Sequence, residues 1–242
     1  MITKIISKIK IHIFFYILIF IVIITGHFKD FILFTSIILF HELGHIVAGT
    51  YYKWKINKII LLPFGALTIF ETKINKPFKE EFIVAIMGFV FQIIFYFILK
   101  PFNINNLFLF HYSIILFNIL PICPLDGFKI VNCILNLIFS FKLSNKISMI
   151  ISVCFLIPLF LYRNLMFYFI LIFLTIRVID DIKKSKYLML KFLLERKEGV
   201  FNYKKTKIIR GLNLSKMFKY YKNIFYVDNF YYTERYILKE KV

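Results

Sequence analysis

The sequence predicts an all-α polytopic membrane protein, and three observations lead to this fold class. First, 60% of the 242 residues are hydrophobic, with 32 Phe and only 8 Gly and 6 Pro, which is more apolar surface than a soluble domain can bury. Second, apolar runs of bilayer-crossing length follow one another along the chain. Third, the net charge of +19 collects in particular connections and at the C-terminal end.

Six apolar runs approach the length of a transmembrane helix, and the shorter ones draw on flanking residues. They cover residues 11–25, 31–50, 82–99, 107–123, 147–162 and 165–179. The first run has a basic flank but no small-x-small cleavage pattern, so we expect it to be retained as a span. A further stretch at 127–141, interrupted by Lys129, Asn132 and Asn136, is a candidate for a shallow or re-entrant helix.

Basic residues set the predicted orientation. The N-terminal segment and the second and fourth connections are rich in Lys, whereas the first, third and fifth connections hold only Lys29, Lys100 and Arg163. The positive-inside rule then places both termini in the cytoplasm. We therefore expect a multi-pass integral membrane protein.

The composition changes after residue 180. Residues 181–242 contain 16 Lys and Arg against 6 Asp and Glu, typical of a basic cytosolic tail beside anionic headgroups. No nucleic-acid-binding motif accompanies this charge, so we expect no nucleic-acid partner. The chain is accordingly divided into a transmembrane domain, 1–180, and a basic tail, 181–242.

One motif inside the second apolar run carries metal chemistry. On a helix, His41 and His45 of His41-Glu42-Leu43-Gly44-His45 lie one turn apart on one face. Both imidazoles can ligate one Zn²⁺, and Glu42 beside them can act as a general base. The alternative is a pair of histidines that only contact other helices, but ionisable groups within a membrane are costly and usually functional.

Two histidines leave a zinc site incomplete, because a catalytic zinc usually has three protein ligands. The best remaining candidate is Asp126, which follows Pro121 and Pro124 and precedes Gly127. Prolines at the end of a span predict a break in the helix, and broken helix at that depth is tolerated where it lines a cavity or is packed by protein. The three cysteines are scattered and form no thiolate metal motif.

The two motifs together resemble the site-2 protease family of intramembrane zinc metalloproteases, most closely its bacterial sporulation branch. The resemblance rests on H-E-L-G-H in an early span and on N-x-x-P-x-x-P-L-D-G from Asn118 to Gly127, and it covers roughly residues 5–180. It implies that His41, His45 and Asp126 ligate zinc, that Glu42 is the general base, and that Asn118 lies near the substrate or the metal.

The same resemblance implies roles for two further stretches of the chain. The segment containing Pro63, Phe64 and Gly65 resembles the family's membrane-associated β-hairpin, over which an extended substrate is laid, although Ala66 stands where a second glycine is common. In the third run, Gly88 and Gln92 resemble a small-residue motif that usually reads Gly-Pro-x-x-Asn. Gly88 also suits close helix packing.

The resemblance implies cleavage of a membrane-associated protein, such as a sigma-factor precursor during sporulation in the membrane around the forespore. An anti-sigma factor or a signal-peptide remnant is the alternative substrate. A zinc transporter and a non-catalytic scaffold are the competing functions. Regulatory or inhibitory membrane partners are also implied, and residues 206–240 show a faint helix-then-strand pattern that suggests a reduced regulatory remnant.

Overall fold

The computed structural model of the protein describes residues 9–11, 13–62, 65–71, 73–161, 165–199, 201, 203 and 205–241. The chain divides into two compact units. The first contains residues 1–72 and 82–119, and the second contains residues 73–81 and 120–242.

The described residues of the first unit form four α-helices: α1 (Ile13–Thr25), α2 (Phe28–Tyr51), α3 (Phe78–Leu99, with its first four residues in the second unit) and α4 (Leu107–Ile119). Gly26 separates α1 from α2 with a positive φ of 74°, a conformation that glycine adopts without steric cost. The apolar core of this unit is formed by α2, α3 and α4 through Leu33, Ile37, Ile38, Phe95, Leu107 and Ile114. This core holds the middle of α2, and with it the histidine motif, inside the unit.

The predicted hairpin is present and belongs to a three-stranded sheet. Strands β2 (Ile56–Leu62) and β3 (Gly65–Phe70) are antiparallel, with Leu62 opposite Gly65. Strand β1 (Ile9–Ile11) pairs in parallel with β2, so Ile11 belongs to a strand and α1 begins two residues later. The strand order β1-β2-β3 leaves β3 at an edge of the sheet.

Among the described residues, the second unit contains three longer helices, a small C-terminal sheet and a short final helix. The longer helices are α5 (Asp126–Ile138), α6 (Phe141–Leu159) and α7 (Leu165–Glu198). The break between α4 and α5, at residues 120–125, confirms the helix interruption predicted from Pro121 and Pro124. Helix α7 continues through residue 180, where the sequence predicts the start of the tail.

The region after α7 folds into strands β4 (Thr206–Arg210), β5 (Lys222–Val227) and β6 (Phe230–Thr233), followed by α8 (Glu234–Lys241). Strand β4 is parallel to β5, and β5 pairs with β6 across a two-residue turn. Asp228 and Asn229 in this turn both have positive φ, as the tight hairpin geometry requires. The expected helix-then-strand pattern corresponds to a short 3₁₀ turn, Leu214–Lys216, followed by β5.

A buried polar network within the second unit links residues 73–81 to α7, α8 and the loop before β5. Arg196, 1% exposed, donates to Asn75 Oδ1 at 2.7 Å and to Glu234 Oε1 at 3.1 Å. Glu81 accepts from Lys219 Nζ at 2.7 Å and from the Tyr220 hydroxyl, and burial beside this carboxylate raises the pKa of Tyr220. Each buried charge is thus paired, which burial of charge requires.

Each apolar run predicted from the sequence overlaps a helix, although residues 120–123 of the fourth run lie in the break after α4. Within the part of the chain that the structure describes, three stretches are both long and apolar enough to cross a bilayer: Phe28–Tyr51, Phe78–Phe102 and Phe141–Leu159. Phe15–Thr25 and Leu107–Ile119 are apolar but shorter. The fold is therefore mostly helical with two small sheets, typical of an integral membrane protein.

Candidate metal centre

The two histidines of α2 face each other at short distance. His41 and His45 are 3% and 4% exposed, and their Nε2 atoms lie 3.1 Å apart. Two nitrogen ligands of a tetrahedral zinc, each about 2.0–2.1 Å from the metal, are separated by about 3.3 Å. The pair therefore fits a shared zinc ion, as predicted from the one-turn spacing.

Each imidazole is held through its other nitrogen. His41 Nδ1 lies 2.9 Å from Oε1 of Gln92, and His45 Nδ1 lies 2.7 Å from the main-chain oxygen of Val84. Both partners accept hydrogen bonds, so each Nδ1 is the protonated donor and each Nε2 keeps its lone pair for a metal. The two contacts fix ring orientation and tautomer together.

Gln92 is itself held in one orientation. It is fully buried, and its side-chain amide nitrogen donates to the main-chain oxygen of His111 at 3.0 Å. Because that carbonyl can only accept, the amide oxygen is the atom directed to His41. Gln92, a candidate from resemblance alone, is thus a direct neighbour of the first histidine.

Two glycines allow the close approach of α2 and α3. A Cβ atom on Gly88 would lie 2.7 Å from His41 Nε2 and closer still to His45 Nε2. A Cβ atom on Gly44 would lie 2.7 Å from the main-chain carbon of Met87, well inside van der Waals contact. Any side chain at position 88 would therefore displace the imidazoles.

Glu42 is linked to the edge strand. Its side chain is largely buried, and its Oε2 atom accepts a hydrogen bond from the Thr68 hydroxyl at 2.6 Å. Thr68 lies in β3, so the carboxylate of the residue that follows His41 is held by the hairpin. A carboxylate held in this way can exchange a proton with a neighbouring water or substrate group.

Asp126 belongs to the second unit, where it is the first residue of α5. It is 5% exposed, and its Oδ1 accepts a hydrogen bond from Lys129 Nζ at 2.7 Å. A buried carboxylate oxygen is a suitable zinc donor. The helix interruption before Asp126 is thus present, with the carboxylate buried next to it.

The remaining predicted residues are placed as follows. Asn118 donates through Nδ2 to the main-chain oxygen of Ile114 in its own helix, at 3.0 Å. Gly65 opens β3, whereas Pro63 and Phe64 lie outside the described residues.

Three partners of the site were not predicted: the Thr68 hydroxyl and the carbonyls of Val84 and His111. A lone threonine in a strand has no distinguishing pattern, and a main-chain carbonyl leaves no trace in sequence. Only the packing of helices and hairpin identifies them.

Comparison with known proteins identifies one matching family and two similar sequences. Residues 30–106 match peptidase family M50. The chain is 30% identical over 213 residues to stage IV sporulation protein FB of Bacillus subtilis, which covers 80% of this chain and 73% of that protein. It is 33% identical over 127 residues to a zinc metalloprotease of Methanocaldococcus jannaschii, covering 48% of this chain and 37% of that protein.

A solved structure is similar as well. The site-2 protease from Methanocaldococcus jannaschii superimposes with a TM-score of 0.57 at 26% identity, covering 71% of this chain and 89% of that one.

Proposed function

Because the chain belongs to peptidase family M50, the site-2 proteases, and is a zinc metalloprotease of the membrane, we propose that it cleaves a membrane-associated protein within the bilayer. We further propose that the substrate is a sigma-factor precursor released during sporulation. The similarity to stage IV sporulation protein FB over most of both chains supports this choice. An anti-sigma factor or a signal-peptide remnant is the alternative substrate.

We assign the zinc ligands to Nε2 of His41, Nε2 of His45 and the carboxylate of Asp126. The converging Nε2 atoms, 3.1 Å apart and each free of its own proton, are the observation that carries this assignment. Zinc, when bound, supplies Lewis acidity that activates water and polarises the scissile carbonyl.

Glu42 is the proposed general base. It takes the proton of the attacking water and returns it to the leaving amine after the peptide bond breaks. The Thr68 hydroxyl, 2.6 Å from Oε2, holds one carboxylate oxygen in place. The proton transfers then run through the other oxygen, Oε1.

The hairpin provides a surface for presenting the substrate. A helical peptide shields its carbonyls by i→i+4 hydrogen bonds, so the substrate must be unwound before attack. Strand β3 lies at an edge of the sheet, where an extended segment can add through main-chain hydrogen bonds with little sequence demand. We propose that Pro63, Phe64, Gly65 and Asn118 contact this segment, and that Thr68 couples its docking to Glu42.

We propose six spans with both termini in the cytoplasm, a catalytic domain at 1–180 and a basic regulatory tail at 181–242. The alternating distribution of Lys and Arg supports this orientation. Membrane partner proteins are proposed to restrict substrate entry.

The direct test is co-expression of the chain with membrane-tethered sigma-factor precursors, anti-sigma factors and signal-peptide remnants. Wild type is expected to cleave one class, and Glu42→Gln is expected to abolish cleavage while zinc content stays near one per chain. Asp30→Asn, an acidic residue at the start of the same helix, is the matched control and should cleave normally. Cleavage by Glu42→Gln at the wild-type rate would show that Glu42 is not the base.

Zinc content tests the ligand assignment separately. Substitution of His41, His45 or Asp126 by Ala should remove zinc, whereas His27→Ala, an exposed histidine beside the same helix, should not. Stoichiometric zinc in Asp126→Ala would remove that residue from the ligand set.

A further inference from the structure

A groove of about 800 Å³ lies between α6 and α7 in the second unit, and none of the proposed catalytic residues lines it. Its volume is at the upper end of the range for ligand pockets, about 300–1,000 Å³. One wall is the N-terminal two-thirds of α6, and the other is the middle of α7. The groove is therefore distinct from the metal centre.

Basic and neutral polar groups gather near one end of α6. Lys142 and Lys146 lie in the first two turns of α6, and Lys186 lies across the groove on α7. Lys142 Nζ is 3.5 Å from the Ser215 hydroxyl. No salt bridge joins Lys146 or Lys186 to a carboxylate in the described part of the chain, and no acidic residue lines the groove.

The neighbouring surface along α6 is aliphatic and exposed. Ile150 and Val153 on α6 are 53% and 37% exposed, and Ile182 on α7 is 45% exposed. Ile150 and Val153 lie one to two turns past Lys146, in a helix long and apolar enough to cross a bilayer. Ile182 lies one turn before Lys186 on α7. Along α6, the lining of the groove thus changes from cationic at Lys142 and Lys146 to aliphatic at Ile150 and Val153.

We propose that this groove binds one anionic phospholipid. The phosphate would lie between Lys146 and Lys186, with Asn145 and Ser185 offering hydrogen bonds, and the acyl chains would follow Ile150, Val153 and Ile182. A soluble anion would leave the aliphatic surface uncovered, and a zwitterionic lipid would bring its own cation next to the lysines. The combination of unpaired cations and an exposed aliphatic path fits an anionic headgroup with attached chains.

The test is native mass spectrometry of the full chain, titrated with phosphatidylglycerol or with phosphatidylcholine of the same acyl chains. Wild type is expected to bind the first phosphatidylglycerol at least about tenfold more tightly than phosphatidylcholine. Lys146→Gln with Lys186→Gln should weaken the phosphatidylglycerol affinity by about 30-fold, since each basic residue beside an anionic headgroup contributes about fivefold. The double Arg variant at the same positions should bind like wild type.

Lys183→Gln with Lys184→Gln is the matched control, because both lysines are exposed on α7 and neither lines the groove. It removes the same charge and should change the affinity less than about threefold. Equal loss in both double variants would mean diffuse surface attraction and would overturn the site.

Filling the groove tests the acyl path. Ile150→Trp leaves every lysine in place and should weaken phosphatidylglycerol binding at least about tenfold, and millimolar inorganic phosphate should not displace the lipid. Unchanged binding by Ile150→Trp, or displacement by phosphate alone, would refute a lipid bound along this groove.

Discussion

Gly88→Ala gives the sharpest test of the metal centre, because the two imidazoles leave no room for a methyl group. A Cβ at this position would lie 2.7 Å from His41 Nε2, whereas ordinary contact begins near 3.4 Å, so the ring must move by about 0.7 Å. Zinc coordination tolerates departures of only about 0.2 Å in ligand distance. We therefore expect zinc affinity to fall at least about 100-fold, beyond the usual effect of losing an outer contact to a ligand.

The assay is competitive titration of the metal-free protein with zinc against a chelator of known affinity. Helix content and the unfolding midpoint should change little, because alanine is favoured over glycine within a helix by about 1 kcal/mol. Gly49→Ala is the matched control: its Cβ would overlap the Phe70 ring, at 2.7 Å from Cζ, and would reach neither imidazole. Wild-type zinc affinity in Gly88→Ala, or an equal loss in Gly49→Ala, would refute the steric argument.

Three further predictions address the neighbours of the site and the second unit. Gln92→Met should lower zinc affinity about 10–100-fold by removing the acceptor for His41 Nδ1, whereas Gln92→Glu keeps an acceptor and should retain zinc, measured by the same titration. Thr68→Val should slow cleavage about tenfold or more with unchanged zinc content, because a hydrogen bond to a charged group contributes about 1.5–3 kcal/mol. Burial lowers the pKa of Lys76 to about 8. Between about pH 8 and 10.4, Lys76 is therefore protonated in the unfolded chain and neutral in the folded chain. The free energy of unfolding should rise with pH in that window, and Lys76→Gln should flatten the rise, measured by thermal unfolding.

Each of these has an outcome that contradicts it. Equal zinc affinities for Gln92→Met and Gln92→Glu would show that His41 is oriented by something else. Thr68→Ser keeps the hydroxyl and should cleave normally, so equal rates for the Ser and Val variants would remove the role assigned to Thr68. A wild-type unfolding midpoint that falls between pH 8 and 10 would contradict the sign expected from Lys76.

The sequence alone identified the elements with strong local signals. The one-turn spacing of His41 and His45 places both side chains on one face of any helix. The long apolar runs determine where helices lie, because lipid offers no other hydrogen-bond partner for their main-chain groups. Pro121 and Pro124 predicted the break before Asp126, because proline cannot continue a helix. The hairpin was predicted from its likeness to a known family motif.

Tertiary structure decided what depends on contacts between distant segments. The acceptor for His45 is a main-chain carbonyl, and Thr68 reaches Glu42 only because β3 packs against α2. Pairing of β1 with β2 and the buried contacts of Arg196 likewise join residues far apart in the chain. Local sequence therefore determined which groups can bind a metal. Packing between helices and strands determined which nitrogen of each imidazole is hydrogen-bonded and what holds each group in place.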